Sequence, residues 1–250
     1  MDISPAEYCE IINCFNHLLS YRKPAEYLRH QSKAVINDDD IFAVQKFLPA
    51  NYANCSLMMG ETVIMNSLFA TSVKGAEKVR DIQMLSDRHG YTLPTTVASL
   101  ALRQSRANQE WYSQSDPIWV AAPYPASTFA LYEIEYKGEY DRVHDSERIL
   151  LNVIHSLIVN KDFIFDRVIL LTERIPCVSC TKVIIDFLTQ HDVKLILAYC
   201  YSSGRAWSGR GYESFSEQLK TAPDILGRLS VKHIIELRGG VIDVIDRTVN

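Results

Sequence analysis

The sequence lacks the features of membrane-spanning, disulfide-stabilised and strongly charged proteins. No apolar run reaches the roughly 18 residues that span a bilayer, and no basic segment followed by an apolar stretch opens the chain, so we expect neither a membrane span nor a Sec-type signal. Six cysteines in 250 residues are too few for a disulfide scaffold, which favours reduced thiols and a cytoplasmic location. The net charge of −4 excludes a general polyanion binder, so any affinity for nucleic acid requires a local patch.

The composition is that of a globular protein with a sizeable core. Hydrophobic residues make up 47% of the chain and charged residues 22%, and the length allows one large or two modest domains. The polar segment 104–109 and three prolines between residues 117 and 125 interrupt the regular pattern of apolar residues, as a linker between domains does. We therefore predict two domains, over residues 1–115 and 116–250.

The first of these regions has the pattern of a helical domain. Ser4, Pro5 and Glu7 combine a cap, a proline at the first helical position and an acid three residues after the cap, which predicts a helix start. Apolar residues at helical spacing follow. Residues 61–85 and 94–106 are further candidates for long helices. We therefore predict an all-α N-terminal domain, whose role the sequence does not indicate.

The second region alternates between strand patterns and helix patterns. The predicted strands are 129–136, 163–171, 193–201, 233–237 and 241–245, and the predicted helices are 146–160, 177–190 and 213–229. Strands separated by helices of this length predict an α/β fold, with a parallel or mixed sheet and helices packed on it.

The motif Pro176-Cys177-Val178-Ser179-Cys180 joins a predicted strand to a predicted helix. Two thiols three residues apart at a helix start can face one zinc ion, and the positive end of the helix favours their thiolate forms. Alone the pair is a weak signal, because redox sites and halves of structural zinc sites share it. Upstream, His144-Asp145-Ser146-Glu147 offers further ligands and a proton carrier at the start of another predicted helix.

Together the two motifs resemble those of the zinc-dependent deaminase superfamily with the cytidine deaminase-like fold. That superfamily carries (His/Cys)-x-Glu at the start of one helix and Pro-Cys-x-x-Cys at the start of the next. The run Leu171-Thr-Glu-Arg-Ile-Pro-Cys-Val-Ser-Cys180 is most similar to bacterial toxin-type deaminases and to plant DYW-type editing deaminases. The resemblance covers about residues 127–240 and implies a three-layer fold with a mixed sheet of about five strands.

The resemblance also implies roles for individual residues. Cys177 and Cys180 become ligands of Zn²⁺, and Glu147 becomes the proton shuttle. In the superfamily the first ligand lies two residues before the glutamate, and Asp145 occupies that position here. His144 lies one residue further upstream, and imidazole is the commoner partner of a zinc already held by two thiolates. Both residues remain candidates for the third ligand.

The segment after the predicted strand 193–201 is a candidate for contacts with substrate. Its arginines suit phosphates and its aromatic rings suit stacking on bases, although a plain surface loop explains the same composition. These residues are Arg205, Trp207, Arg210 and Tyr212.

The implied reaction is hydrolytic deamination of a nucleobase in single-stranded DNA or RNA. We expect cytosine, in preference to adenine, to be the target base. A toxin or effector role, with delivery into another cell, follows from the likeness to toxin-type deaminases. Two alternatives stay open. The first is a deaminase of free nucleosides or nucleotides, which the net negative charge favours. The second is a catalytically inactive module that binds a partner. We expect no membrane partner, and a protein partner could bind through the N-terminal domain.

Overall fold

The computed structural model describes residues 3–18, 51–72, 112–115, 118–121, 145–201, 210–236 and 241–247. The helices are α1 (residues 5–18), α2 (Ser146–Asn160), α3 (Val178–Gln190) and α4 (Arg210–Lys220), and a short 3₁₀ helix covers Pro223–Ile225. The strands are β1 (Tyr52–Met59), β2 (Thr62–Thr71), β3 (Tyr112–Ser115), β4 (Ile118–Ala121), β5 (Arg167–Arg174), β6 (Lys194–Tyr201), β7 (Leu229–Glu236) and β8 (Ile242–Arg247).

All the described strands belong to one mixed sheet. Its order is β3-β4-β2-β1-β5-β6-β7-β8. Strands β5, β6 and β7 run parallel to one another, whereas β1 runs antiparallel to both β2 and β5. The predicted α/β class with a mixed sheet is confirmed. Within the described residues the sheet has eight strands rather than about five, because the β1–β2 hairpin and the β3–β4 pair extend it at one edge.

The second half of the chain follows the predicted order of elements. Helix α2 has the predicted bounds, and α3 starts at Val178, one residue after the predicted start. The predicted helix over 213–229 is two elements, because α4 ends at Lys220 and Pro223 opens the short 3₁₀ helix. The predicted helix over 94–106 and the predicted strand over 129–136 lie outside the described residues.

The predicted helix over residues 61–85 is wrong where the structure describes it. Residues 62–71 form β2, which pairs with β1 through a short turn that contains Gly60. Gly60 has a φ of +59°, a conformation that glycine adopts without the steric cost of a side chain. The N-terminal region is therefore not all-α. The division of the chain at residue 115 stays a prediction, but β1 and β2 belong to the sheet of the second half.

Helix α1 confirms the predicted helix start. The Ser4 backbone N–H donates to Glu7 Oε2 at 2.7 Å, and the Glu7 N–H donates to Ser4 Oγ at 3.2 Å, which is a reciprocal capping box. The helix packs on the sheet, because the Asn54 amide of β1 donates to the Cys14 carbonyl and Lys194 of β6 forms a 2.7 Å ion pair with Glu7.

Helices α2 and α3 pack on the other face of the sheet. Alternation along β1 places Ala53, Cys55 and Leu57 on the face toward α2 and α3, where they join the main apolar core, and Asn54 on the face toward α1. The described residues thus form three layers, with α1 on one side of the sheet and α2 and α3 on the other. No helix among the described residues is long and apolar enough to cross a bilayer.

Candidate active site

The two sequence motifs meet at the N-termini of α2 and α3. Asp145 is the N-cap residue of α2, and Cys177 is the N-cap residue of α3. Cys180 lies in the first turn of α3 and is 2% exposed. The positive ends of both helix dipoles therefore point at one small volume, which favours negatively charged groups there.

Three potential metal ligands surround that volume. The Cys177 and Cys180 sulfurs are 3.5 Å apart, and Asp145 Oδ2 lies 3.8 Å from the first and 3.5 Å from the second. Ligands of a tetrahedral zinc, with metal–ligand distances of about 2.3 Å for sulfur and 2.1 Å for oxygen, would be about 3.6–3.8 Å from each other. Among the described residues, Asp145, Cys177 and Cys180 are the one group of this kind.

The Asp145 carboxylate does not do what an aspartate at a helix N-cap usually does. Such a side chain normally accepts a hydrogen bond from a backbone N–H of the first turn, but Asp145 makes no side-chain cap bond. Its Oδ2 lies against the two thiols instead. Ionisation of all three groups at such distances is unfavourable without a cation. The donor set therefore fits Zn²⁺, which accepts thiolate and carboxylate ligands.

Glu147 lies beside this group in the first turn of α2. Its side chain is 3% exposed, and its Oε2 is 3.7 Å from the Cys180 sulfur. The Thr172 hydroxyl donates to Glu147 Oε1 at 2.9 Å, and the Ser146 hydroxyl donates to Oε2 at 3.0 Å. The hydrogen bonds hold one carboxylate oxygen away from the thiols and leave the other next to them.

Comparison with protein families gives one match. Residues 102–199 match the model of a family named Toxin-deaminase, described as the BURPS668_1122 family of deaminases. Over these residues the chain is similar to the toxin-type deaminases of the cytidine deaminase-like superfamily. No curated protein matches the chain. The deaminase segment includes Asp145, Glu147, Cys177 and Cys180, and the predicted resemblance to toxin-type deaminases is confirmed. The likeness to DYW-type proteins stays a prediction.

The titratable groups of the candidate site have shifted pKa values. Burial raises the pKa of Glu147, and the negative charge of Asp145 raises it further, which suits a carboxyl that has to carry a proton. The hydrogen bond between the two thiols lowers the pKa of Cys177. The same contact, together with burial, raises the pKa of Cys180. Cys177 is therefore the first of the two to ionise.

Sequence reasoning missed one residue of the candidate site. Asn51, immediately before β1, has its Nδ2 within 3.0 Å of Ser146 Oγ, Glu147 Oε1 and Thr172 Oγ1. It lies 96 positions from Glu147 and is brought there by the pairing of β1 with β5. The hairpin signal around Gly60 would have placed residues 52–71 in a sheet, but no local pattern marks Asn51.

The structure describes only some of the other predicted site residues. His144, Arg205 and Trp207 lie outside the described residues. The backbone of Arg210 and Tyr212 belongs to the start of α4, and their side chains are outside the description. The roles of these residues stay predictions.

Proposed function

We propose that this protein is a zinc-dependent deaminase that converts a nucleobase of single-stranded nucleic acid, with cytosine as the target base, and that it acts as a toxin or effector. The observation that carries the proposal is the approach of Asp145, Cys177 and Cys180 to within 3.5–3.8 Å of one another, with the Glu147 carboxylate 3.7 Å from Cys180. The toxin-type deaminase match over residues 102–199 supports the same reaction class.

In this proposal Asp145, Cys177 and Cys180 hold the zinc ion. When bound at a site with an open position, zinc supplies a water molecule that is ionised near neutral pH. Asp145 takes the ligand position because its carboxylate lies against both thiols. His144 is the rival for that position, and the coordination measurement described in the Discussion separates the two.

Glu147 moves the proton in this reaction. Water adds to the ring carbon that bears the amine, the C–N bond breaks, and ammonia leaves, so that the base gains a carbonyl oxygen. The Glu147 carboxylate accepts a proton on the water side and returns it to the departing nitrogen, which leaves the enzyme unchanged. Its raised pKa and its Oε2 position beside Cys180 support this role.

The segment after β6 is proposed to bind the nucleic acid strand. Strands β5 and β6 are parallel and in register from Arg167 with Lys194 to Arg174 with Tyr201, so the chain leaves β6 at the sheet edge where β5 leads into the site. Loops at that edge of a parallel sheet commonly hold ligands. We expect Arg205 and Arg210 to contact phosphates, and Trp207 and Tyr212 to stack on bases.

The experiment measures ammonia release and base conversion by the full chain loaded with zinc. Single-stranded DNA, single-stranded RNA and free cytidine are compared, with adenine-containing substrates as the second base. We expect turnover of a single-stranded polymer and its loss in Glu147→Ala. Turnover of free cytidine alone would replace the proposal by a nucleoside deaminase, and zinc binding without any turnover would support an inactive binding module.

A further inference from the structure

The residue Asn51 lies outside the segment that matches the deaminase family, yet its side chain reaches the proton-carrying carboxylate. It precedes β1, whose residue Ala53 pairs with Thr172 of β5. Continuing this antiparallel register by two residues brings Asn51 next to Arg174. The backbone N–H of Arg174 donates to Asn51 Oδ1 at 3.2 Å, which fixes which end of the amide faces the site.

The other end of the amide is a hydrogen-bond donor aimed at Glu147. Asn51 Nδ2 donates to Glu147 Oε1 at 3.0 Å. Two neighbours of that carboxylate are also in reach, since Ser146 Oγ and Thr172 Oγ1 each lie 2.9 Å from the same nitrogen. Because the Arg174 N–H requires an acceptor, the oxygen of the amide points to β5, and the NH₂ group must point to Glu147.

We propose that Asn51 is the positioning residue for Glu147. Its NH₂ group and the Thr172 hydroxyl both donate to Oε1. Oε2, which accepts from the Ser146 hydroxyl, is then the oxygen that lies beside the thiols and exchanges the proton. This inference deepens the proposed function and rests on it, since positioning a proton carrier has meaning only if Glu147 carries protons. Asn51 acts through Glu147 and needs no contact with substrate.

The chemistry of the amide makes the role testable with one isosteric change. Asn51→Asp keeps the acceptor that the Arg174 N–H requires but replaces the donor with a second carboxylate oxygen facing Glu147. Asn51→Ala removes both ends. If Asn51 only ties the start of β1 to the end of β5, Asn51→Asp should behave like the wild type.

A matched control, Asn54, lies three residues further along the chain, within β1. Asn54 is buried, but it is on the opposite face of the sheet, where its amide donates to the Cys14 carbonyl of α1 at 2.9 Å. Asn54→Asp introduces the same change nearby in the chain but away from the site. We expect it to lower the melting temperature and to leave kcat of the folded protein unchanged.

The first readout is the split between kcat and KM for the zinc-loaded full chain. We expect Asn51→Asp and Asn51→Ala to lower kcat about hundredfold with little change in KM, since small displacements of a reacting group have effects of that size. Wild-type kcat in folded Asn51→Asp would overturn the inference.

The second readout needs no activity and keeps the two proposals separable. Thermal unfolding is measured for Asn51→Asp, Glu147→Gln and the double variant, because a glutamine amide at position 147 can donate to an aspartate at position 51. We expect Asn51→Asp to lower the melting temperature more strongly beside Glu147 than beside glutamine. Additive effects would refute the contact, whereas coupling in a protein without deaminase activity would keep the contact and refute the proposed function.

Discussion

Asp145 Oδ2 lies 3.5 Å from the sulfur of Cys180, although the two residues are 35 positions apart in the chain. An N-cap aspartate and a thiol of the next helix meet because both helices begin at the same edge of the sheet. A protonated Cys180 thiol can donate a hydrogen bond to this carboxylate, whereas the ionised thiolate and carboxylate would repel each other without a cation. In the proposed function a zinc ion shared by the two groups takes the place of the hydrogen bond, and the predictions about zinc content, Glu147 and zinc coordination depend on that proposal.

We predict that the purified chain binds about one zinc per molecule, as a site with three protein ligands does. Asp145→Ala and Cys180→Ser should reduce bound zinc to the background level, because each removes a ligand. Metal content after dialysis, measured by mass spectrometry, tests this. The exposed thiol of Cys9 supplies the control, since Cys9→Ser should keep the wild-type content. Equal zinc in Asp145→Ala and the wild type would remove Asp145 from the ligand set.

Glu147→Gln should separate metal binding from catalysis. Glutamine keeps the shape, and its amide oxygen still accepts the hydrogen bond from Thr172. Its NH₂ group cannot accept from Ser146, and the side chain cannot accept and return a proton. We expect zinc content to stay at the wild-type level and kcat to fall about 10²–10⁴-fold, the usual contribution of general acid–base catalysis. Substrate turnover by zinc-loaded protein is the measurement, and a kcat within a few-fold of the wild type would exclude Glu147 as the proton shuttle.

The histidine pair His155 and His191 should make stability depend on pH. His155 Nδ1 and His191 Nε2 are 2.8 Å apart, and burial lowers the pKa of both rings, with the charge of His155 lowering that of His191 further. The unfolded chain therefore binds protons first as the pH falls through about 6.5. Stability from this pair is complete above that pH and declines below it.

Melting temperatures between pH 5 and pH 8 test the histidine prediction. The double variant His155→Gln/His191→Gln should show a shallower decline below pH 6.5 than the wild type. The exposed residue Thr189, near the end of α3, supplies the control, and Thr189→Ala should keep the wild-type profile. Parallel profiles for the wild type and the double variant would contradict the prediction.

Lys194→Met should loosen the attachment of α1 to the sheet. Glu7 is 1% exposed and pairs with Lys194 at 2.7 Å and with Arg167 at 3.4 Å. Burial is the largest influence on Glu7 and alone would raise its pKa. The hydrogen bonds from Lys194 and the Ser4 backbone, together with the positive charges of Lys194 and Arg167, outweigh burial, and the pKa is lowered. Removing the lysine leaves a buried carboxylate with a weaker partner, which we expect to cost about 1–3 kcal/mol of unfolding free energy.

The destabilisation caused by Lys194→Met should depend on pH in a definite direction. Because the pKa of Glu7 is lowered on folding, its pairing stabilises the protein above about pH 4.5 and is lost as the pH falls through the folded value. Urea unfolding at pH 7 and at low pH measures the difference in unfolding free energy between the wild type and Lys194→Met. We expect this difference to be smaller at low pH. Lys220→Met, an exposed lysine at the end of α4, is the control and should change unfolding by less than about 0.5 kcal/mol.

The local motifs predicted three of the side chains that meet at the candidate site, whereas Asn51 is brought there by long-range strand pairing. Cys177, Cys180 and Glu147 lie at the starts of two helices that local sequence patterns predict. The alternation of strands and helices therefore predicted that these three side chains come together. Asn51 reaches the site only through the pairing of β1 with β5, across more than 100 positions of sequence. No periodicity within one segment reports such a partner.

The misassigned β-hairpin has a related cause. Residues 62–71 include two apolar runs, Val63–Met65 and Leu68–Ala70, whose spacing also fits one face of a helix. The decisive signals are Gly60 at the turn and the pairing with β1, which in turn pairs with β5. Tertiary contacts of this kind override local preference for short apolar runs.

Zinc K-edge X-ray absorption of the zinc-loaded full chain tests the central claim most directly. The account predicts two sulfur ligands at about 2.3 Å, the remaining ligands being oxygen at about 2.0–2.2 Å, with no scattering pattern of imidazole. Asp145→Ala should lose the metal. An imidazole signal that disappears in His144→Ala would assign the third position to His144 instead of Asp145, and a chain that binds no zinc would contradict the proposed deaminase site as a whole.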